Sequence, residues 1–172
     1  IDNVDIINEK DILTTNLFNR VDNLNLLDRY ESYGNSDDIY SSISSDLEMI
    51  KEEGIEYFIY DDVQPNPTIP NIENCKDVYI KNNCQGIFAF GGGSPMDTAK
   101  GIGARVARPK KPIHKMKGLL KVGKKLPMII AIPTTAGTGS ETTVAAVISN
   151  PKTHEKYPIN DPIIKIIIRT AL

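Results

Sequence analysis

The most constraining feature of this 172-residue sequence is a run of three glycines, Gly91–Gly93, which directly follows the short apolar segment Gly86–Phe90. After the glycines we expect Ser94 to be a helix N-cap, Pro95 to take the first helical position, and Asp97 to lie three residues beyond the cap. Glycines leave the backbone open to a ligand, and a helix N-terminus carries about half a positive charge. The stretch therefore predicts a strand, a bare turn and a capped helix that can bind a diphosphate.

This turn differs from two well-known phosphate-binding motifs. Met96 occupies the place of the third glycine of GxGxxG, and Lys100 follows Gly93 by seven residues, which does not fit the spacing of a P-loop. The difference favours a dinucleotide phosphate over ATP with magnesium. From these residues alone, a tight turn that only requires glycine is the alternative interpretation.

Strand and helix signals alternate along the chain from residue 55. Apolar runs predict strands at Ile55–Tyr60, Gly86–Phe90 and Met128–Ile132, and the segments between them predict helices at Asn71–Asn83 and Ser94–Val106. This order indicates an α/β fold, a Rossmann-like parallel sheet with flanking helices. Ligands of such sheets bind outside the carboxyl ends of the strands.

Other segments have weaker signals. Apolar spacing predicts a helix over Asp37–Gly54, prolines predict a loop over Asp61–Pro70, and Thr142–Ile148 with Tyr157–Ile159 predict a β-hairpin. The apolar tail at 163–172 predicts either an edge strand or a segment that another domain covers.

Two further loops offer polar groups at the same edge of the predicted sheet. Pro133–Glu141 (PTTAGTGSE) supplies hydroxyls that can bond phosphate or ribose oxygens, although an ordinary polar connection would look similar. Asn66 is a short amide between two prolines, and by itself it favours a simple turn residue.

Composition excludes several classes of protein. The formal net charge is −2, and no apolar run approaches the roughly 18 residues that cross a bilayer. The acidic start does not resemble a signal peptide, so we expect a cytoplasmic protein.

Cys75 and Cys84 form no CxxC pair, which favours two idle thiols over a zinc site or a disulfide. His114 and His154 have no acidic ligand three or four residues further on, so we expect solvated loop residues and no metal site.

Four motifs together resemble one known family. They are VQPNPT at 63–68, GGGSPMDTAK at 91–100, IPTTAGTGSE at 132–141 and EKYPIND at 155–161. The sequence resembles the nucleotide-binding domain of the iron-containing, or group III, alcohol dehydrogenases, which have the dehydroquinate synthase-like fold. The resemblance implies a divergent N-terminal segment at 1–36, a dinucleotide-binding α/β domain at 37–162 and an apolar tail at 163–172.

The resemblance also implies a site and a reaction. Gly92, Gly93 and Ser94 would hold the dinucleotide diphosphate, Lys156 would contact the cofactor ribose, and Asp97, the catalytic candidate, would face the nicotinamide side. The implied cofactor-binding residues are Asn66, Gly91, Gly92, Gly93, Ser94, Asp97, Thr134, Thr135, Thr138, Ser140 and Lys156. The implied reaction is reversible hydride transfer between NAD(P)H and a small-molecule alcohol or its aldehyde, with Fe²⁺ or Zn²⁺ as the Lewis acid.

Two departures from the family limit these expectations. Leu27–Ser36 is too charged for a central parallel strand, and if Gly34 and Ser36 replace the family's first turn, the missing acid leaves NADH and NADPH both open. We also expect this chain to lack the family's all-helical domain, whose one Asp and three His bind the metal. It would then be the cofactor-binding part and inactive alone.

Two other functions stay open. The chain can be a truncated relative with only a nucleotide-binding or structural role. Ten Lys and Arg from Lys100 to Lys125, without an acid, suggest a polyanion-binding module, but the run lacks aromatic residues for base stacking. We therefore expect no nucleic acid and no membrane partner, and a possible homo-oligomer formed through the edge of the tail.

Overall fold

A computed structural model describes residues 47–48, 50–133, 139–140, 142–153, 155–164 and 166–168. The chain divides into two compact units, Ile1–Glu56 with Ala171–Leu172, and Tyr57–Thr170.

The described part of the first unit is the end of a helix. Residues 47–48 and 50–52 are helical. Gly54 then adopts a left-handed conformation, with a φ of 68°, and its N–H donates to the carbonyl of Lys51 at 2.8 Å. Glycine takes this conformation at little cost, which is why it ends helices so often. The predicted end of the Asp37–Gly54 helix is confirmed, while residues 37–46 lie outside the described residues.

The second unit contains two helices, one short 3₁₀ helix and six strands in its described residues. In chain order they are α1 (Ile69–Lys81), β1 (Gly86–Gly91), α2 (Gly93–Ala107), η1 (Ile113–Met116), β2 (Gly118–Leu119), β3 (Met128–Pro133), β4 (Ala145–Ser149), β5 (Lys156–Asn160) and β6 (Ile167–Ile168).

The first sheet is parallel and has the strand order β1-β3-β6. β3 is the central strand, and Met128–Ile132 are all buried, because a strand between two neighbours and covered on both faces has no polar side. β6 places part of the apolar tail at the edge of this sheet, as an edge strand. The predicted α/β fold with a parallel sheet is confirmed.

The second sheet has the order β2-β5-β4. β4 and β5 are antiparallel, with Val147 opposite Pro158 and Ser149 opposite Lys156, which confirms the predicted hairpin. Pro158 has no N–H to donate to the ladder, so proline is unusual at this position in β5, the middle strand of the sheet.

Helix α2 packs against β1 and β3 of the first sheet and against β4 of the second. Two glycines permit this close packing. A Cβ atom at Gly101 would lie 2.6 Å from Ile72 Cδ1, and one at Gly103 would lie 2.9 Å from Ile129 Cδ1. The buried core lies around α2 and includes Ile72, Ala89, Met96, Ala99, Ile102, Ala104, Ile113, Met116, Val122, Leu126, Ile129, Ala131, Ile148, Ile159 and Ile164.

The strand predicted at Ile55–Tyr60 is wrong. Residues 55–64 have no regular secondary structure, and Ile59 is 64% exposed. β-Branched and aromatic residues favour strands only when a neighbouring strand supplies hydrogen bonds and a packing surface. Local composition therefore could not decide this segment.

The start of α2 also differs from the prediction. The N-cap is Gly92, without a side-chain cap, so Gly93 takes the first helical position and Pro95 the third. The Ser94 hydroxyl is thereby freed from capping and accepts a hydrogen bond from another segment. Similarly, α1 begins at Ile69 inside the predicted loop, because Thr68 caps it through the N–H of Asn71.

In the described part of the chain, no helix combines the length and the apolar character that a membrane span requires.

Candidate functional site

The glycine-rich turn joins β1 to α2 at the carboxyl end of the parallel sheet. Gly91 has a φ of 127°, and a Cβ there would lie 2.9 Å from Pro95 Cγ, so the turn requires glycine at this position. An α-helix leaves the N–H groups of its first turn without intrahelical acceptors, and its N-terminus carries partial positive charge. The first turn of α2, at Gly93 and Ser94, is thus suited to an anionic ligand such as a diphosphate.

Asn66 lies beside this helix start, although 28 residues separate it from Ser94. The Asn66 N–H donates to Ser94 Oγ at 3.2 Å. Asn66 has a φ of 57°, in the left-handed region that asparagine tolerates better than most residues, and this turns the chain between Pro65 and Pro67. The backbone twist thereby brings the VQPNPT loop to the glycine-rich turn.

Lys156 joins the same group from the other sheet. Its Nζ donates to Asn66 Oδ1 at 3.3 Å, across 90 residues of sequence. The strands explain this proximity: Lys156 is opposite Ser149 in the β4–β5 ladder, and the Ser149 N–H donates to the Pro67 carbonyl at 2.8 Å. The end of β4 therefore holds the Asn66 loop and Lys156 together.

Asp97, one turn into α2, makes a contact that the sequence did not predict. Its Oδ2 accepts a hydrogen bond from the Val147 N–H at 3.1 Å, so the carboxylate binds the edge of β4 as a neighbouring strand would. Its Oδ1 lies 3.5 Å from Lys100 Nζ. Burial raises the pKa of Asp97, and the Val147 N–H and Lys100 oppose this rise without cancelling it.

The threonine-rich loop is described only in part. Thr134, Thr135, Thr138 and Glu141 lie outside the described residues. Ser140 is described, and its carbonyl accepts a hydrogen bond from Lys100 Nζ at 2.5 Å. The loop's carboxyl-terminal end is therefore attached to α2, the helix that begins at the glycine-rich turn.

Sequence reasoning missed Lys100. Its side chain is fully buried, and its ammonium group also contacts Thr143 Oγ1 at 3.0 Å and the Ala145 carbonyl at 2.7 Å. The only signal was its position in the motif, since a lysine in an amphipathic helix is ordinarily a surface residue.

No three His, Cys, Asp or Glu side chains come together as a metal site in the described ranges. His114 is exposed on η1, as expected of a solvated residue, and His154 lies outside those ranges. The described residues consequently do not fit the family's iron.

Some side chains of the basic segment after Lys100 donate hydrogen bonds to the backbone of the same segment. Arg108 Nε donates to the Val122 carbonyl at 2.6 Å, and Lys111 Nζ donates to the Lys121 carbonyl at 2.7 Å. These bonds fold the loop onto itself, and they reduce the number of cations that are available to a polyanion.

Comparison with known proteins identifies the family of this chain. The family model described as iron-containing alcohol dehydrogenase matches residues 35–168. This chain belongs to the iron-containing alcohol dehydrogenase family.

Individual relatives share about a third of their length with the chain. "Choline dehydrogenase" of Bacillus subtilis (strain 168) is 38% identical over 120 residues, which are 69% of this chain and 30% of the relative. The solved structure of an alcohol dehydrogenase from Oenococcus oeni is 38% identical, with a TM-score of 0.70 over 74% of this chain and 33% of that one. A sulfoacetaldehyde reductase from Bifidobacterium kashiwanohense, solved in complex with NAD⁺, is 31% identical, with a TM-score of 0.62 over 76% of this chain and 35% of that one.

Proposed function

We propose that this chain is the NAD(P)-binding part of an alcohol dehydrogenase that transfers hydride reversibly between NAD(P)H and an alcohol or its aldehyde. The observation that carries the proposal is the meeting of Asn66, Ser94 and Lys156 at the start of α2, through hydrogen bonds of 3.2 and 3.3 Å. Three separate segments thus place an amide, a hydroxyl and an ammonium group beside a helix N-terminus. Those donors suit the phosphate and ribose oxygens of a dinucleotide.

Each residue then has a definite task. Gly92, Gly93 and Ser94 bind the diphosphate, and Gly91 keeps the turn open. Asn66 and Lys156 orient the ribose. The remaining cleft residues are Thr134, Thr135, Thr138 and Ser140.

In this proposal Asp97 faces the nicotinamide side of the cleft. The bound nicotinamide supplies or accepts the hydride, and the residues of this chain orient the ring and exclude water from it. Burial raises the pKa of Asp97. Asp97 is the catalytic candidate of this proposal by its position in the GGGSPMDTAK motif.

The metal chemistry of the family lies outside what we assign to the described residues. We expect this chain to bind the cofactor weakly and to show no alcohol oxidation when Fe²⁺ or Zn²⁺ is added with NAD(P)⁺ and an alcohol. Turnover under those conditions would refute the prediction that the chain is inactive alone. A cytoplasmic location and self-association through the β6 edge stay predictions, and light scattering at high concentration tests the second.

A titration with NADH and NADPH, followed by nicotinamide fluorescence, tests cofactor binding directly. Lys156→Met removes one donor and should weaken binding about tenfold, because a hydrogen bond to a charged group contributes about 1.5–3 kcal/mol. Asn66→Gly and Asn66→Ala both remove the side-chain amide and should both weaken binding. Failure of the unaltered chain to bind either dinucleotide at millimolar concentration would refute the proposal.

The two Asn66 variants control for folding. Asn66 has a φ of 57°, which glycine accepts readily, whereas alanine there costs about 1 kcal/mol. Asn66→Gly should therefore lose affinity at unchanged thermal stability, and Asn66→Ala should lose both. Equal affinity for both variants and the unaltered chain would remove Asn66 from the site.

A further inference from the structure

The ammonium group of Lys100 is the most completely buried charge among the described residues. Its Nζ lies 2.5 Å from the Ser140 carbonyl oxygen, 3.0 Å from Thr143 Oγ1 and 2.7 Å from the Ala145 carbonyl oxygen. The side chain has 0% exposure, and among the described residues the carboxylate oxygen paired with it, Oδ1 of Asp97, is 3.5 Å away.

The Lys100 ammonium group lies closer to the oxygens of residues 140, 143 and 145 than to the Asp97 carboxylate. We therefore expect its main structural effect to be on the position of that segment. Burying an ammonium costs several kcal/mol unless its donors are satisfied, so all its hydrogen bonds must stay in place together. The three closest oxygens come from one short segment, at residues 140, 143 and 145, which connects the threonine-rich loop to β4. Any displacement of that segment from α2 would break these three hydrogen bonds of the buried ammonium group.

Asp97 attaches the next part of the same segment. Its carboxylate accepts the Val147 N–H at 3.1 Å. Asp97 and Lys100 lie three residues apart on α2, so together they bind residues 140, 143, 145 and 147 along one face of the helix. The Asp97 carboxylate is therefore bound to β4, and the Lys100 ammonium group is bound to β4 and to the loop that precedes it.

The docked strand determines the position of the proposed site. Ser149 of β4 lies opposite Lys156 and binds the Pro67 carbonyl at 2.8 Å, while Lys156 binds Asn66 at 3.3 Å. A shift of β4 relative to α2 would move Lys156 and Asn66 away from Ser94. The coupling runs from Lys100 through β4 to the donors at the glycine-rich turn.

We propose that Lys100 is a positioning residue, which docks the 140–145 segment and the β4–β5 hairpin onto α2 and so presents Ser140 and Lys156 to the cofactor without touching it. The proposal rests on the proposed cofactor-binding function. It also predicts a purely structural effect, at β4, that can be measured without any cofactor.

Lys100→Met tests the proposal, with Arg105→Met as its matched control. Arg105 is a second buried cation on α2, but it bonds to Glu73 and to carbonyls at 108, 109 and 111, on the side of the helix that does not carry the site. Below both melting temperatures, Lys100→Met should weaken NADH binding about tenfold, the equivalent of one lost hydrogen bond to a charged group. Arg105→Met should keep the affinity of the unaltered chain.

Amide hydrogen exchange gives the second readout. In Lys100→Met, the amides of Ala145–Ser149 should exchange about tenfold faster than in Arg105→Met when each rate is taken relative to the β1 amides of the same variant, because opening β4 locally costs less once the Lys100 hydrogen bonds are lost. The lower global stability of Arg105→Met speeds exchange in both strands and cancels in this ratio. Lost NADH affinity with unchanged exchange would mean that Lys100 contacts the cofactor directly, and it would overturn the positioning role. Equal affinity and equal exchange in the two variants would overturn it as well.

Thr143 provides a milder variant in case Lys100→Met does not fold. Thr143→Val removes one of the three oxygens that bind the Lys100 ammonium group, at an exposed position, and leaves the charge of Lys100 intact, whereas Thr143→Ser keeps the hydroxyl. Only the valine variant should weaken NADH binding and speed exchange in β4, each by about threefold, as expected for one modest hydrogen bond. Identical behaviour of the two variants would contradict the proposal that the hydrogen bonds of Lys100 hold this segment on α2.

Failure of the proposed function gives a different result. If the unaltered chain binds neither NADH nor NADPH, the cofactor assignment is wrong, and exchange alone decides the role of Lys100. Faster exchange of Ala145–Ser149 in Lys100→Met than in Arg105→Met would then support docking, and equal exchange would overturn it.

Discussion

The two halves of α2 each bury a cation, and they use it differently. In the carboxyl-terminal half, Arg105 forms a two-point contact with Glu73 of α1, through Nε and through Nη2, the latter at 3.0 Å. In the amino-terminal half, Lys100 gathers three uncharged oxygens, and its carboxylate neighbour Asp97 lies farther off, at 3.5 Å.

The chemistry of the two side chains explains the difference. A guanidinium is planar, with five donors in a fixed fork, and matches a carboxylate and several carbonyls between rigid elements. An ammonium is a compact charge with three donors, and it suits oxygens that converge from one loop. The half of α2 near the glycine-rich turn therefore holds a loop in place, and the other half holds the helices together.

The largest expected effect is the loss of stability in Arg105→Met. The substitution removes the hydrogen bonds of Arg105 to three carbonyl oxygens and to the Glu73 carboxylate, which among the described residues keeps only Lys76 as a donor, so the free energy of unfolding should fall by about 3 kcal/mol. Lys100→Met should cost less, because the oxygens it abandons are uncharged. Urea unfolding of both variants measures the comparison, and a larger loss for Lys100→Met would reverse it.

A second comparison concerns the glycines of α2. A Cβ at Gly101 would meet Ile72 Cδ1 at 2.6 Å, and a Cβ at Gly103 would meet Ile129 Cδ1 at 2.9 Å. Each change to alanine should lower the free energy of unfolding by about 1–3 kcal/mol through overpacking, in spite of alanine's higher helix propensity.

Valine at the contacting position is the control for each glycine, because Ile→Val removes the Cδ1 atom. Ile72→Val should recover part of the loss in Gly101→Ala and none of the loss in Gly103→Ala, and Ile129→Val should do the opposite. Thermal unfolding of the double variants checks this, and recovery in the wrong pair would show that the clash is not the cause.

The smallest effect is on the pH dependence of stability. Burial alone would raise the pKa of Glu73, but hydrogen bonds from Arg105 and Lys76 outweigh it, and the pKa is lowered from 4.5. Glu73 thus stabilises the fold above its ordinary pKa, and this contribution is lost as the pH falls through the folded pKa. Asp97 has a pKa raised from 3.8, mainly by burial, so its contribution is present below 3.8 and lost as the pH rises through the folded pKa.

Glu73→Gln and Asp97→Asn should consequently show opposite slopes. The cost of Glu73→Gln should be greatest near neutral pH and shrink in acid, whereas the cost of Asp97→Asn should grow in acid. Urea unfolding of both variants between neutral pH and about pH 3 measures the slopes. Slopes of the same sign would contradict the different environments of the two carboxylates.

Local patterns predicted much of the scaffold. β1, β3, α1 and the β4–β5 hairpin lie within a few residues of their predicted positions, because apolar runs, prolines and glycines act on the nearby backbone. The same reasoning failed at Ile55–Tyr60, where strand formation depends on a partner that the segment does not have in the described chain. It also misplaced the N-cap of α2, since Ser94 is used by Asn66 instead of by its own helix.

The sequence by itself determined the succession of α1, β1, α2 and β3, the glycine-rich turn and the residue types available for a dinucleotide. These follow from steric and hydrophobic preferences within short stretches. Only the tertiary structure decided that Lys100 and Arg105 are buried, that Asp97 binds the edge of β4, and that Lys156 meets Asn66 across 90 residues. Such contacts depend on how strands pair and how a helix packs between two sheets, and no local pattern encodes which distant partner will satisfy a buried charge.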